Sequence, residues 1–217
     1  MIFMDIVKSV LYLLIFISVV ALSSCTSSNS EQGMGIEQAR YSVIEKQGNF
    51  EIRQYQPCIV AETIVESDFD DAGNKAFRKL FNYISGQNHK KQSIAMTAPV
   101  DQKIISEKIS MTAPVNQQKS EDKWVVSFLM PSKYTIQTLP EPLDPNVILR
   151  VVPARKIAAL RYSGTWSKKR YEKKKSSLLE FINERSLKII GEDIFARYDP
   201  PFQIFFLRRN EVLIPVE

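Results

Sequence analysis

The chain has 217 residues, 44% of them hydrophobic and 24% charged, with a formal net charge of +5. That composition excludes disordered and fibrous classes and leaves room for one large domain or two small ones. The modest basic excess is compatible with anionic partners, lipid headgroups among them, without demanding any.

At the N-terminus, Lys8 precedes an apolar run from Val10 to Ala21. The run is short for a membrane span of about 20 residues and suits a signal-peptide core. It ends in Leu22-Ser23-Ser24-Cys25, which resembles a bacterial lipobox, in which the cysteine is diacylated and the chain is cut before it. An uncleaved anchor or a plain secreted form is the rival reading, although Leu22 is large where ordinary signal cleavage wants a small residue. Residues 1–24 are therefore expected to be a lipoprotein-type signal peptide. Residues 25–40 are expected to be lipidated Cys25 and a Ser/Asn/Gln-rich flexible tether, and 41–217 the folded domain. Thr26 in place of Asp after the cysteine resembles outer-membrane sorting, so the expected location is the bacterial cell envelope, lipid-anchored at the outer membrane and facing the periplasm. With Cys25 acylated, Cys58 has no partner and reads as a small buried hydrophobe.

The domain opens with short strands at Tyr41–Glu45 and Phe50–Tyr55 around the turn Gln47-Gly48-Asn49, then a strand at Ile59–Val65. Ser67 and Asp68 can cap a helix from Phe69 to Ser85, with Phe69, Ala72, Ala76, Phe77, Leu80, Phe81 and Ile84 on one broad apolar face and Gly86 as its stop. A seven-residue phrase then occurs twice, as Ile94-Ala-Met-Thr-Ala-Pro-Val100 and Ile109-Ser-Met-Thr-Ala-Pro-Val115, each reading as a short strand leaving a sheet at its proline. A strand at Trp124–Met130 leads into a crossing that contains Pro131, Pro140, Pro142 and Pro145. The second half runs Val147–Val152, Lys156–Tyr162, a helix Ser167–Arg185 with Tyr171, Leu178, Phe181 and Ile182 inward, then strands Phe202–Leu207 and Glu211–Val216. Each half thus reads strand, helix, strand, strand. That favours an α+β fold with two helices across an antiparallel sheet or open barrel, and a cleft between helix and sheet.

At this point the residues carry a resemblance. Phe50-Glu-Ile-Arg-Gln-Tyr55, Tyr83-Ile-Ser-Gly-Gln-Asn88, both Met-Thr-Ala-Pro-Val copies, Tyr198-Asp-Pro-Pro201 and Asn210-Glu-Val212 resemble the SOUL, or haem-binding protein, family over Tyr41 to Glu217. The resemblance implies a distorted antiparallel β-barrel built from two β-α-β-β units with two flanking long helices. It also implies haem or another tetrapyrrole, held non-covalently in a hydrophobic cleft. In the member where a histidine is proposed to meet the iron, its place is taken here by Gln54, a poor iron ligand beside an imidazole. Members without it are thought to use apolar contact and basic residues near the propionates. Those positions here hold Asn74, Asn82 and Gln203, with Lys75, Arg78 and Lys79 nearby. The expected cleft comprises Gln54, Phe77, Arg78, Phe81, Tyr198 and Phe202.

Other candidates read as structural. His89 lies in a polar run, Met96 and Met111 suit core filling, and Tyr55, Tyr83 and Tyr198 suit packing with one hydrogen-bonded end. The basic run Lys168–Lys175 spreads around more than one helix face and lacks the interleaved aromatics of a nucleic-acid platform, so the alternatives are a solvated helix start or contact with anionic lipid. No G-x-S-x-G, H-E-x-x-H, P-loop or Cys-x-x-Cys pattern is present, which argues against an enzyme. Two readings remain: a lipid-anchored, non-catalytic binding protein for haem or a related planar molecule, or an envelope interaction protein with a closed cleft. Nothing in the sequence specifies an oligomeric state.

Overall fold

The hairpin turn forms where the sequence places it. Gly48 takes φ +60°, a left-handed conformation that glycine adopts without a Cβ penalty, and strands leave it on both sides. The computed structural model describes residues 36–90, 106–120 and 123–217; the expected signal peptide, Cys25 with residues 26–35 of its tether, and the first copy of the doubled phrase with Met96 lie outside them. In chain order the elements are β1 (Glu37–Gln38), β2 (Tyr41–Gln47), β3 (Phe50–Tyr55), β4 (Cys58–Val65), α1 (Phe69–Ile84), β5 (Asn88–His89), β6 (Thr112–Ala113), β7 (Val115–Ser120) and β8 (Lys123–Leu129). They continue with β9 (Glu141–Pro142), β10 (Ile148–Val152), β11 (Arg155–Tyr162), α2 (Lys168–Glu184), β12 (Ile194–Arg197) and β13 (Asn210–Pro215).

Nine strands form one sheet in the order β10-β4-β8-β7-β12-β13-β11-β3-β2, every neighbouring pair antiparallel. Two β-α-β-β units are visible in that order. β4, α1, β7 and β8 pair as β4-β8-β7, and β11, α2, β12 and β13 pair as β11-β13-β12. The units join where β7 meets β12, and each lends its preceding strand to the other, so β10 borders β4 and β3 borders β11. The fold is α+β with two flanking helices, as the sequence implied.

Both helices cover one face. α1 packs on β4 and β8 through Ala72, Ala76, Leu80 and Tyr83, and α2 packs on β11 and β13 through Tyr171, Leu178, Phe181 and Ile182. Phe69 joins the two layers, its ring 5.3 Å from Tyr171 and 5.5 Å from Phe195. Ser167 caps α2 by accepting the Arg170 N–H, whereas Asp68 takes the N-cap position of α1 without a side-chain hydrogen bond; Asp70 and Asp71 sit in the first turn of α1, where negative charge suits the dipole.

Two expectations are corrected. The segment Phe202–Leu207 is not a strand but a turn followed by a 3₁₀ turn at Phe205–Leu207, none of it buried. Its apolar residues are consecutive rather than alternating, and Pro200-Pro201 removes backbone donors just ahead of them. The strand beside β13 is instead Ile194–Arg197, all four residues buried. A strand covered on both faces has no alternation to read. The buried face of α1 is also narrower than the apolar spacing implied, because Phe77 and Phe81 are 36% and 45% exposed.

Gly73 lets α1 settle on the sheet. A Cβ there would stand 1.8 Å from Nη2 of Arg197, a side chain that is itself buried. Gly73→Ala is therefore expected to cost about 1–3 kcal/mol of stability by overpacking. Urea unfolding measures this, and an unchanged midpoint would mean that the guanidinium moves aside freely.

Candidate functional site

The two faces of the sheet carry different chemistry. On the face away from the helices, Arg53 of β3 and Glu211 of β13 meet across β11. Arg53 Nη1 and Nη2 donate to the two Glu211 carboxylate oxygens at 2.7 and 3.0 Å. Both residues are buried, at 1% and 0% exposure. Arg209 also donates to Glu211 Oε1 at 2.9 Å, the Tyr198 hydroxyl donates to Glu211 Oε2 at 2.9 Å, and Arg53 donates to the Tyr55 hydroxyl and to Glu51. Burial by itself would raise the Glu211 carboxyl. The hydrogen bonds and charge of Arg53, with Arg209 beside it, outweigh burial and hold it below the usual carboxylate range. Burial pushes the Tyr55 phenol up to about 12 and drives Tyr198 well above its usual value.

The family-like motifs thus resolve into joints of the fold. Phe50–Tyr55 supplies Arg53 and Tyr55, Tyr198–Pro201 supplies Tyr198, and Asn210–Val212 supplies Glu211 to one network. Asn210 additionally accepts from the Trp166 indole and donates to the Gly164 carbonyl, at 2.8 and 3.1 Å. In the Tyr83–Asn88 motif, the Tyr83 hydroxyl donates to the Pro140 carbonyl at 2.9 Å. Asn88 donates to the Tyr83 and Glu107 carbonyls and accepts the Glu107 N–H, tying the end of α1 to the returning chain. In the second Met-Thr-Ala-Pro-Val copy, Thr112 and Ala113 pair in parallel with β1, the Thr112 hydroxyl donates to the Leu129 carbonyl, and Val115 opens β7.

The six residues of the expected cleft do not form one cluster. Successive residues of a strand point to opposite faces, so Gln54 faces the helix side while Arg53 and Tyr55 face away from it. The Tyr198 hydroxyl reaches Glu211 on that second face. Phe77, Arg78 and Phe81 stand exposed on α1, the two rings stacked at 5.7 Å, with Phe77 edge-on to Phe128 of β8 at 5.3 Å. Phe202 is 85% exposed in the loop that follows β12. Within the sheet, Phe128 pairs with Val115, and Val115 with Arg197, the last residue of β12, five residues before Phe202. Lys75 and Lys79 lie on the same helix, and His89 is exposed in β5 beyond its end.

Neither of two cavities described here is lined by the expected residues. One, of about 50 Å³, lies on the face without helices among Tyr55, Val60, Ser127, Arg155, Ile157 and Leu213, room for water rather than a ligand. The other, of about 340 Å³, lies among Gln38, Arg40, Pro57, Ile59, Met130 and Tyr134, at the lower end of the size of ligand pockets. Sequence reading also missed Arg197. It is 9% exposed with an unpartnered Nε, it donates to Gln117 at 3.2 Å and lies over Trp166, and burial pulls it down to about 10. Among the described residues no group of three His, Cys, Asp or Glu is arranged to hold a metal ion.

The architecture defines a class: a pair of β-α-β-β units with both helices on one face of a curled antiparallel sheet. The fold is shared with the EcmrR C-terminal domain (TM-score 0.50, 13% identity, 82% of this chain and 98% of that one). It is also shared with a structure described as a hydrolase from Listeria innocua (TM-score 0.54, 12% identity, 80% and 94%). The family model described as SOUL heme-binding protein matches residues 36–215, and the chain belongs to that family. It is 31% identical to mouse Heme-binding protein 2 and 30% identical to the human protein, in each case over 168 residues covering 76% of this chain and 77% of the relative.

The Glu211 carboxyl, depressed in the folded state, contributes stability that is present above the unfolded carboxylate value of about 4.3 and is lost as pH falls through the folded value. Glu211→Gln, which leaves Arg53 buried without its counter-ion, is expected to cost about 3–5 kcal/mol at neutral pH. It should also flatten the acid limb of the stability curve. Denaturant unfolding at several pH values tests both, and a variant with the parent's pH dependence would contradict the assignment.

Proposed function

We propose that the chain is a non-catalytic binding protein for haem or a related planar tetrapyrrole, which lies against the exposed aromatic face of α1. The observation that carries this is the stacked pair Phe77 and Phe81, large aromatic rings left 36% and 45% exposed on α1, in a member of the SOUL heme-binding protein family. The described residues fit the organic part of such a ligand. The two rings offer flat apolar contact, and Arg78, exposed next to Phe77 on α1, offers a cation for a carboxylate side chain. They do not offer an obvious axial ligand. Gln54 is a weak donor on the helix side of β3, and the Tyr55 and Tyr198 phenols are engaged with Arg53 and Glu211 and held protonated by burial. Bound haem would bring an iron centre, and this chain's contribution is shape, apolar contact and countercharge.

Haemin titration followed in the Soret region is expected to give saturable one-to-one binding, weakened about tenfold or more in Phe77→Ser/Phe81→Ser. Unsaturable binding in the parent would overturn the reading, and would favour an interaction protein with no haem site.

The finer reading of location is that Cys25 carries lipid and tethers the domain in the envelope, at the outer membrane and facing the periplasm, on the strength of the lipobox-like Leu22–Cys25. Cys25→Ser is then expected to move the chain from the membrane fraction to the soluble fraction, and retention in the membrane would contradict it.

A further inference from the structure

The loop between β12 and β13 is apolar where it is most exposed. Phe202 is 85% exposed, Ile204 53%, Phe205 51%, Phe206 59% and Leu207 59%. Successive residues turned outward cannot be one face of an element awaiting a groove; they form a convex tip. The tip is nevertheless built. Arg208 donates from Nε to the Gln203 carbonyl at 2.8 Å and from Nη2 to the Pro201 carbonyl at 2.5 Å, and Asp199 accepts the Arg209 N–H at 2.5 Å. An exposed apolar surface held in place by its own hydrogen bonds marks a contact site rather than accidental exposure.

The base of the loop is basic and aromatic. The Arg208 guanidinium lies 4.5 Å from the centre of the Trp166 ring. Two residues after Trp166, α2 opens on Lys168, Lys169 and Arg170, all exposed, with Lys173 exposed on the next turn. Lys175 is held by Asp193 at 2.5 Å and is not part of this rim. The order from tip to base is therefore Phe, Ile and Leu, then Trp and Arg, then Lys. That is the polarity gradient of a bilayer interface, where apolar side chains enter the acyl region, an indole sits at headgroup depth and long cations reach back to phosphate.

We infer that the 202–207 loop is a membrane-docking element, which inserts its apolar tip into a lipid surface while Lys168, Lys169 and Arg170 engage anionic headgroups. The occupant is lipid rather than a protein partner because the apolar residues are consecutive and turned outward, and because cations predominate at the exposed start of α2, where Lys168, Lys169, Arg170 and Lys173 stand against Glu172. The docking element needs no haem and does not depend on the acylation of Cys25. It would set the orientation of the domain on a membrane.

Because the apolar run at Val10–Ala21 can itself hold the chain on vesicles, bulk binding is not the readout. The readout is depth at residue 205 in the full chain. In Phe205→Trp, the added indole emission, taken as the difference from the parent, is expected to shift to the blue and be quenched by brominated phosphatidylcholine in vesicles that contain phosphatidylglycerol. Leu143→Trp, at another exposed apolar position, should show neither change. Replacing Lys168 and Lys169 by Gln is expected to raise the lipid concentration for half the effect about fivefold per lysine. An unquenched indole at position 205 on vesicle-bound protein would overturn the inference, as would equal quenching at position 143. Insensitivity to both phosphatidylglycerol and the lysine substitutions would also overturn it.

Discussion

The structure depends on a buried charge pair, Arg53 with Glu211, placed between strands that the chain reaches 158 residues apart. Removing two charges from water is costly, and the pair is tolerated only because every strong donor and acceptor around it is used: Arg209, Tyr198, Tyr55 and Glu51 complete the set. The consequence is specificity of register. A slip of one residue in β3 or β13 would turn one charge toward the helix-side core and strand the other, so the pair fixes how the strand lent by the first unit sits against the second.

With the register fixed, the two faces of the sheet take separate roles. The face with the ion network is filled, with a cavity of about 50 Å³ among its lining residues, and it serves the fold. The helix face carries the hydrophobic core, and the surplus apolar surface appears at its margin, on α1 at Phe77 and Phe81 and in the loop after β12. Both surplus patches are aromatic and both lie beside cations. The first suits a flat anionic ligand and the second a lipid surface.

Much of the fold was legible in the sequence because local signals agreed with the global pattern. Asp68 and Ser167 marked the helix starts, 3.6-residue periodicity marked α1, and Gly48 marked the first hairpin. What was not legible was of two kinds. β12 is buried on both faces, so it lacks alternation, and the run Phe202–Leu207 looked more like a strand than the true one did. The site suffered from distance along the chain. Arg53 reads as an ordinary polar position in an alternating strand until Glu211 is seen opposite it, and Gln54, singled out by resemblance, turns to the other face. The one available signal was that Arg53 and Glu211, opposite in charge, each sit within a family-like motif beside apolar strand residues.

The motif tyrosines Tyr55 and Tyr198 serve this joint, and a bound haem would have no iron ligand from them. The direct measurement is the absorption spectrum of the haemin complex of Tyr198→Phe and of Tyr55→Phe beside the parent. The same Soret position is expected in all three, with lower unfolding midpoints in the two variants, where a hydrogen bond to Glu211 or from Arg53 is lost. A Soret shift with loss of a phenolate charge-transfer band in either variant would place that tyrosine on the iron and contradict it.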